Sequence, residues 1–236
     1  MSLAARARRL WSDGGASGLA RGAGRFIGML GKKAFFSAEY YVHEFDLMAL
    51  DDTYAAAPID NLEVHIVESD DDVCRLVERG YEDFRLTVPG AKRCLRSGAM
   101  GLCAYVGETL AHIAWVGLNE DAKRSFDALA YRVRFDEQEG CSGGSWTFPS
   151  FRGKGLYRHV MWRRFMYLRE HGCLVCRHAT GVHNIPSLRG QEVFPSTLEG
   201  TLRFVRICGI DEYSFKPWDH HTEPDELSAT QRPESP

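Results

Sequence analysis

The sequence predicts an α/β fold, and three observations predict it. Short stretches alternating apolar and polar residues at period two are interleaved with stretches whose apolar residues recur at three and four, the pattern of strands and helices sharing one layered domain. The stretch Trp146–Gly172, WTFPSFRGKGLYRHVMWRRFMYLREHG, reads as a strand end, a Pro corner, a Gly-bracketed basic loop and a helix closed by Gly172. With 236 residues, 44% of them hydrophobic, the chain can bury one sizeable core, so a single domain with dressed ends is the simplest organisation.

Residues 1–34 are Gly-rich and set Arg6, Arg8, Arg9, Arg21, Arg25, Lys32 and Lys33 against one acid, Asp13. Composition predicts a mobile basic leader; a second reading lays Leu10, Trp11, Phe26, Ile27, Met29 and Leu30, with those cations, on an anionic membrane or polymer surface. A single domain is expected over 35–215. Phe35–Leu50 begins it with strand-like alternation of Tyr41, His43 and Phe45 with Val42, Glu44 and Asp46. Leu62–Val67 is a second strand, and Ser69 before Asp70–Asp72 supplies the cap of a helix whose Val73, Leu76, Val77, Tyr81 and Phe84 face inward. Pro89–Arg96 predicts a short helix, and Leu102–Val106 and Thr109–Val116 a hairpin around Gly107-Glu108. Tyr131–Phe135 and Glu139–Phe148 read as strands, with a bulge or close approach at Gly143-Gly144. In the helix after the Gly loop, Tyr157, Val160, Met161, Phe165 and Leu168 form the buried stripe, and Arg158, Arg163, Arg164 and Arg169 are expected in solvent. Cys173–Thr180 is a strand, Asn184–Phe194 a broken helix and Thr201–Cys208 a last strand; residues 216–236 are expected to be a disordered acidic and Pro-rich tail.

Composition excludes several function classes. A net charge of -3 does not suit a polyanion binder, and the cations of the Gly-loop helix have no base-stacking pattern beside them, so no nucleic-acid partner is expected. The chain has neither a run of roughly 18 to 20 apolar residues nor a signal-peptide core, and its seven cysteines are odd in number and irregularly spaced. A soluble cytoplasmic protein with reduced thiols is the expectation. Cys173 and Cys176, with His178 and His183 nearby, tempt a metal reading. Residues three apart on a strand point to opposite faces, however, so no metal is expected.

The Gly-bracketed loop suits a phosphate, because amides freed by Gly153 and Gly155 meet the positive end of a helix dipole. A Walker A loop is excluded because its first Gly would fall at Phe148 and Lys154 is followed by Gly155; a dinucleotide fingerprint is excluded because its third Gly would be Arg158. Arg152-Gly153-Lys154-Gly155-Leu156-Tyr157 resembles the Q/R-x-x-G-x-G/A loop of the GNAT superfamily of acyl-CoA-dependent N-acyltransferases, and Asn184-Ile185-Pro186-Ser187 resembles that family's N-x-x-S. Element order matches as well, over 62–208.

The resemblance implies a mixed, splayed central sheet with helices on both faces. It implies acyl transfer from acetyl-CoA or another acyl-CoA to a small-molecule amine such as an amino sugar, an amino acid or a natural-product amine. Headed by Arg152, the amides of Gly153, Lys154, Gly155, Leu156 and Tyr157 would hold the CoA pyrophosphate; the backbone of Trp146, Thr147 and Phe148 would pair with the pantetheine arm, and Asn184 and Ser187 would contact its far portion. The chain departs from the pattern at Tyr157, in place of a small residue, at Cys141, where many members carry a catalytic Glu, and at Gln191, where a Tyr acid is frequent. Glu139, two residues before Cys141 and on the same strand face, is the first candidate base, His112 the second, and Cys141 a candidate acyl carrier. Alternatives are a non-catalytic acyl-CoA-binding or scaffold domain, or a transferase whose donor is an acyl carrier protein or an aminoacyl-tRNA docked on the basic N-terminus.

Overall fold

The computed structural model describes residues 35–219. The basic leader, with its expected surface contact, and residues 220–236 of the expected tail lie outside the described residues. The elements run β1 (Phe35–Asp46), β2 (Leu62–Val67), α1 (Asp70–Glu78), α2 (Phe84–Thr87), α3 (Ala91–Arg96), β3 (Met100–Val106), β4 (Thr109–Gly117), α4 (Glu120–Phe126), β5 (Glu139–Thr147), α5 (Leu156–Glu170), β6 (Val175–Gly181), α6 (Ile185–Gln191), β7 (Ser196–Ile207) and β8 (Ile210–Pro217). The strand order is β2-β3-β4-β5-β6-β1-β7-β8. Pairing is antiparallel from β2 through β5 and between β6 and β1, and parallel between β5 and β6. This is a mixed sheet, as the resemblance implies.

Contacts divide the described chain into two compact units, Tyr40–Leu202 with 215–219, and Phe35–Glu39 with Arg203–Ser214. The smaller unit holds the β7–β8 turn, where Cys208 and Gly209 both take positive φ, 50° and 86°, as a two-residue hairpin of type I′ requires. Within it Phe204 packs on Phe36 and Tyr213, and Arg206 pairs with Asp211 at 2.7 Å. Sequence analysis does not predict β8, because Cys-Gly lacks the Asn-Gly or Asp-Gly signature of this turn; the strand extends to Pro217, past the expected start of the tail.

In the larger unit the central strands are buried on both faces, which is why β3 and β4 read as nearly continuous apolar runs. Leu102, Ala104, Ala114 and Val116 face a core built with Val160, Met161, Phe165 and Leu168 of α5. Cys103, Tyr105, Ile113 and Trp115 face the other core, with Val73 and Leu76 of α1, Phe84 of α2, Leu95 of α3 and Ala122 of α4. Helices therefore cover both faces. The Ser69 cap is a full capping box with Asp72. The strand expected at Tyr131–Phe135 is instead irregular chain ending in a 3-10 turn at Phe135–Glu137. Both edges of β5 are already taken by β4 and β6, and Tyr131 turns inward, its hydroxyl donating to Asp127 at 2.8 Å and its ring under the Lys123 ammonium.

One buried ion cluster ties strands together. Arg177 of β6 grips Glu139 of β5 through two bonds, Nε–Oε2 at 2.6 Å and Nη2–Oε1 at 2.9 Å, and also meets Glu44 of β1 at 2.8 Å and Glu199 of β7. The Arg177 and Glu139 side chains are 5% and 2% exposed. Arg134 completes the cage of Glu139, its backbone N–H donating at 2.8 Å and its Nε at 2.7 Å. Burial alone would raise the Glu139 pKa, but the hydrogen bonds from Arg177 and Arg134 outweigh it and hold the carboxyl down at about 2.

Arg177→Met removes the buried partner of Glu139, leaving it Arg134 alone, and is expected to destabilise the protein by about 3–5 kcal/mol in urea unfolding. Because the folded pKa of Glu139 lies below its unfolded value of 4.5, its contribution is complete above that pH and is lost as pH falls toward 2; Glu139→Gln should flatten the stability profile across that window. Gly144 has φ 56°, and a Cβ there would stand 2.8 Å from Trp115 Cδ1. Gly144→Ala is therefore expected to lower stability by about 1–3 kcal/mol.

Candidate functional site

The site begins where the parallel pair comes apart. β5 and β6 are in register over three residues only, Glu139 to Cys141 against Val175 to Arg177. At the next residue the partner of Ser142 is a side chain: His178 Nδ1–H donates to the Ser142 carbonyl at 2.7 Å. The backbone acceptor is thus satisfied while the strands diverge. On its other edge β5 stays with β4 to Thr147, but uses three steps from Gly143 to Trp146 where β4 uses two from Trp115 to Ile113. That extra residue is a β-bulge at the expected Gly143-Gly144 pair, and it leaves backbone around Gly144 and Ser145 outside the ladder.

β5 then turns through Pro149–Phe151 into the loop. Gly153 and Gly155 take φ 74° and 79°, and no atom lies within 4 Å of a Cβ built on Gly153. Gly155 is the N-cap of the 15-residue α5 and offers no side chain to the first helical amides, so they remain available to a ligand, with the dipole behind them. Arg152 lies over the Trp146 ring at 5.2 Å and donates from Nε to the Thr147 carbonyl at 3.1 Å.

A groove of about 810 Å³ follows from this geometry. Of the residues expected to bind cofactor, Trp146, Thr147, Arg152, Gly153, Gly155, Leu156, Tyr157, Asn184 and Ser187 line it. Phe148 and Lys154 do not: Phe148 packs toward the core of α1–α4 and its N–H donates to Ala111 at 3.0 Å, and Lys154 stands over Phe151. Ser145, Phe151, Arg158, Pro186, Arg189 and Gly190 also line it, although no motif in the sequence marks them. Asn184 caps α6, accepting from the Ser187 N–H at 3.4 Å. The bulk of Tyr157 is accommodated by Gly190, where a Cβ would stand 2.5 Å from Tyr157 Cδ1.

The three candidate catalytic residues separate. Glu139 is locked in the Arg177–Arg134 cage. Cys141, on the same strand face, is fully buried, its thiol donating to the Gly117 carbonyl at 3.5 Å, and burial pushes its pKa well up. Neither lines the groove. His112 is fully buried and does not line it either, but its Nδ1 is hydrogen-bonded at 2.7 Å to the hydroxyl of groove residue Thr147, its ring lies 6.3 Å from that of Tyr157, and its Nε2 has no hydrogen-bond partner among the described residues. Burial first, and then Arg164, lowers its pKa to about 3, so the ring is neutral at pH 7.

Arg164 corrects an expectation. It is fully buried, not solvated, and its Nε, Nη1 and Nη2 have no hydrogen-bond partner among the described residues. Position 164 lies three residues past Met161, four past Val160 and seven past Tyr157, which puts it on the buried stripe. The same side of the sheet carries His178, lowered to about 3 by burial and by Arg164, and His43 opposite it on β1, lowered by burial to about 4. Among the described residues no group of three or more His, Cys, Asp or Glu is placed to hold a metal ion, and no helix is long and apolar enough to cross a membrane.

No protein-family model and no curated protein matches the chain. Among solved structures it is similar to a GNAT-family acetyltransferase from Novosphingobium aromaticivorans, at 14% identity and TM-score 0.47 over 73% of this chain and 66% of that one. It is also similar to a GNAT-family acetyltransferase from Colwellia psychrerythraea, at 12% and 0.46 over 81% and 62%, and to a GCN5-related N-acetyltransferase-like protein from Streptococcus suis, at 14% and 0.43 over 82% and 67%. The matched region spans about two thirds of those chains. At such identities and TM-scores the likeness carries no statement of activity, and the architecture of this chain is that of a mixed α/β sheet with helices on both faces.

Proposed function

We propose that this chain is an N-acyltransferase that holds acetyl-CoA or another acyl-CoA in the groove and passes the acyl group to a small-molecule amine. The observation that carries the reading is the juxtaposition of two parts: a strand edge of β5 opened beyond Cys141, and an uncapped helix N-terminus reached through Gly153 and Gly155. The edge suits an amide-bearing arm that pairs like an added strand. The helix end suits a pyrophosphate, and Arg152, Arg158 and Arg189 around the groove add positive potential. The acceptor class, the cytoplasmic location and an acyl carrier protein or aminoacyl-tRNA as alternative donor belong to the same proposal.

In the reaction the amine nitrogen bonds to the thioester carbon, the carbonyl electrons move onto oxygen, and their return breaks the carbon–sulfur bond, releasing thiolate. The nitrogen loses one proton. His112, neutral and buried behind groove residue Thr147, would receive it through the Thr147 hydroxyl, which takes the proton from nitrogen as it passes its own to His112 Nδ1. Backbone left out of the ladder at Gly144 and Ser145 would polarise the carbonyl oxygen.

A second reading, an acyl-CoA-binding domain without catalysis, is favoured by one observation: Glu139 and Cys141 both lie away from the groove, committed to structural contacts. Mass-spectrometric screening of amines with acetyl-CoA separates the two, since acylated product requires transfer.

Two variants test the proposal. Gly153→Asp places a carboxylate at the phosphate position, and Gly153→Asn imposes the same backbone conformation without charge. Calorimetry should show acetyl-CoA binding lost in the first and kept in the second; equal affinities would remove the cofactor site. His112→Phe is expected to lower kcat by about 10²- to 10⁴-fold with acetyl-CoA affinity nearly unchanged, read from single-turnover kinetics.

A further inference from the structure

The unsatisfied buried polar atoms concentrate in one place. Of nine such side-chain atoms among the described residues, eight belong to His43, His112, Ser145, Tyr157, Arg164 and Gln191. These residues are linked. Arg164 acts electrostatically on His112 and His178, and the Tyr157 hydroxyl and Cys176 thiol act on Arg164. Tyr157 packs on Gly190, the neighbour of Gln191, and Tyr157 and Ser145 both line the groove. The cluster therefore meets the groove at Tyr157 and Ser145, and Arg164 lies behind them, about 10 Å farther along α5.

A guanidinium removed from water with at most a weak contact to the Tyr157 hydroxyl to answer its five N–H groups is costly, and neither that hydroxyl nor water supplies a countercharge. What answers both is a planar anion that takes two parallel N–H bonds. Arg164 brings a single positive charge, and the histidines around it are neutral at pH 7. A carboxylate balances that charge, whereas a phosphate carrying nearly two negative charges would be left with an unpaired one.

We infer that Arg164 is the binding site for a carboxylate on one of the reacting molecules, either at the far end of a dicarboxylic acyl chain or on an amino-acid acceptor. Acyl transfer in the groove supplies the identity of those molecules, so that part rests on the proposed function; the carboxylate rests on Arg164 alone. A seated carboxylate also cancels the field with which Arg164 weakens His112, so the base gains strength when the correct molecule is bound.

The test has three arms. In thermal-shift measurements without CoA, succinate and glutarate should raise the melting temperature of wild type and leave Arg164→Met unmoved; Arg164→Met itself should melt higher than ligand-free wild type, since it removes an unpaired buried charge. In calorimetry, wild type should bind succinyl-CoA more tightly than acetyl-CoA, on the order of 30-fold, if the acyl chain carries the group. If the acceptor carries it, the two thioesters bind alike and wild type acylates amino acids in preference to the same amines lacking the carboxylate. The inference is overturned if neither discrimination exists in wild type, or if free dicarboxylates stabilise Arg164→Met as they do wild type. Loss of CoA binding alone counts against the proposed function and leaves the thermal-shift arm to decide on Arg164. Should Arg164→Met fail to fold, Arg164→Lys, which keeps the charge and loses the fork, replaces it and should lose most of the discrimination.

Discussion

The grip of Arg177 on Glu139 sits at the last register pair before β5 and β6 part. A parallel pair of three residues is a weak join, and beyond it the sheet must support an edge with no neighbour. Buried ionic contacts to β5, β1 and β7 place the strongest directional interactions at that point. Everything on the opposite face of β6 follows from the alternation of a strand: with Arg177 turned one way, Cys176 and His178 are turned toward α5. The ion cluster thus fixes where the groove starts and which side chains line the interior behind it.

A division of labour results between two faces of one strand. The carboxylate that sequence position alone offers as a base is consumed in holding the sheet together, and the polar groups that lack partners among the described residues lie on the other face. Histidines held neutral by burial sit there with a cation that has no counter-ion among the described residues. In the absence of ligand such a cluster works against stability, and groups so arranged are more often found where binding or chemistry occurs than in a structural core.

Much of this was legible in the sequence, and for identifiable reasons. The bulge was announced by Gly143-Gly144, the capping box by Ser69 and Asp72, and the turn into α5 by Gly153 and Gly155, because each depends on a local backbone need that few residues meet. Nine of the eleven expected cofactor contacts line the groove. What escaped depends on distant chain. Glu139 looked available because nothing local announces Arg177, 38 residues away. Arg164 looked solvated because charge suggested exposure, although its spacing from Val160 and Met161 pointed inward. The tight turn before β8 was hidden because Cys208 adopts a positive φ with none of the residues that usually mark one.

The contact between Tyr157 and Gly190 has a consequence for how this sequence can change. Tyr157 occupies a loop position for which the resembled motif has a small residue, and it fits because residue 190 lacks a side chain. Neither position is free while the other stays as it is. A drift of Gly190 to alanine is blocked until residue 157 shrinks, and once it has shrunk the glycine is no longer required. The two should therefore vary together among relatives of this chain, and a relative with alanine or glycine at 157 would have α6 packed closer to α5.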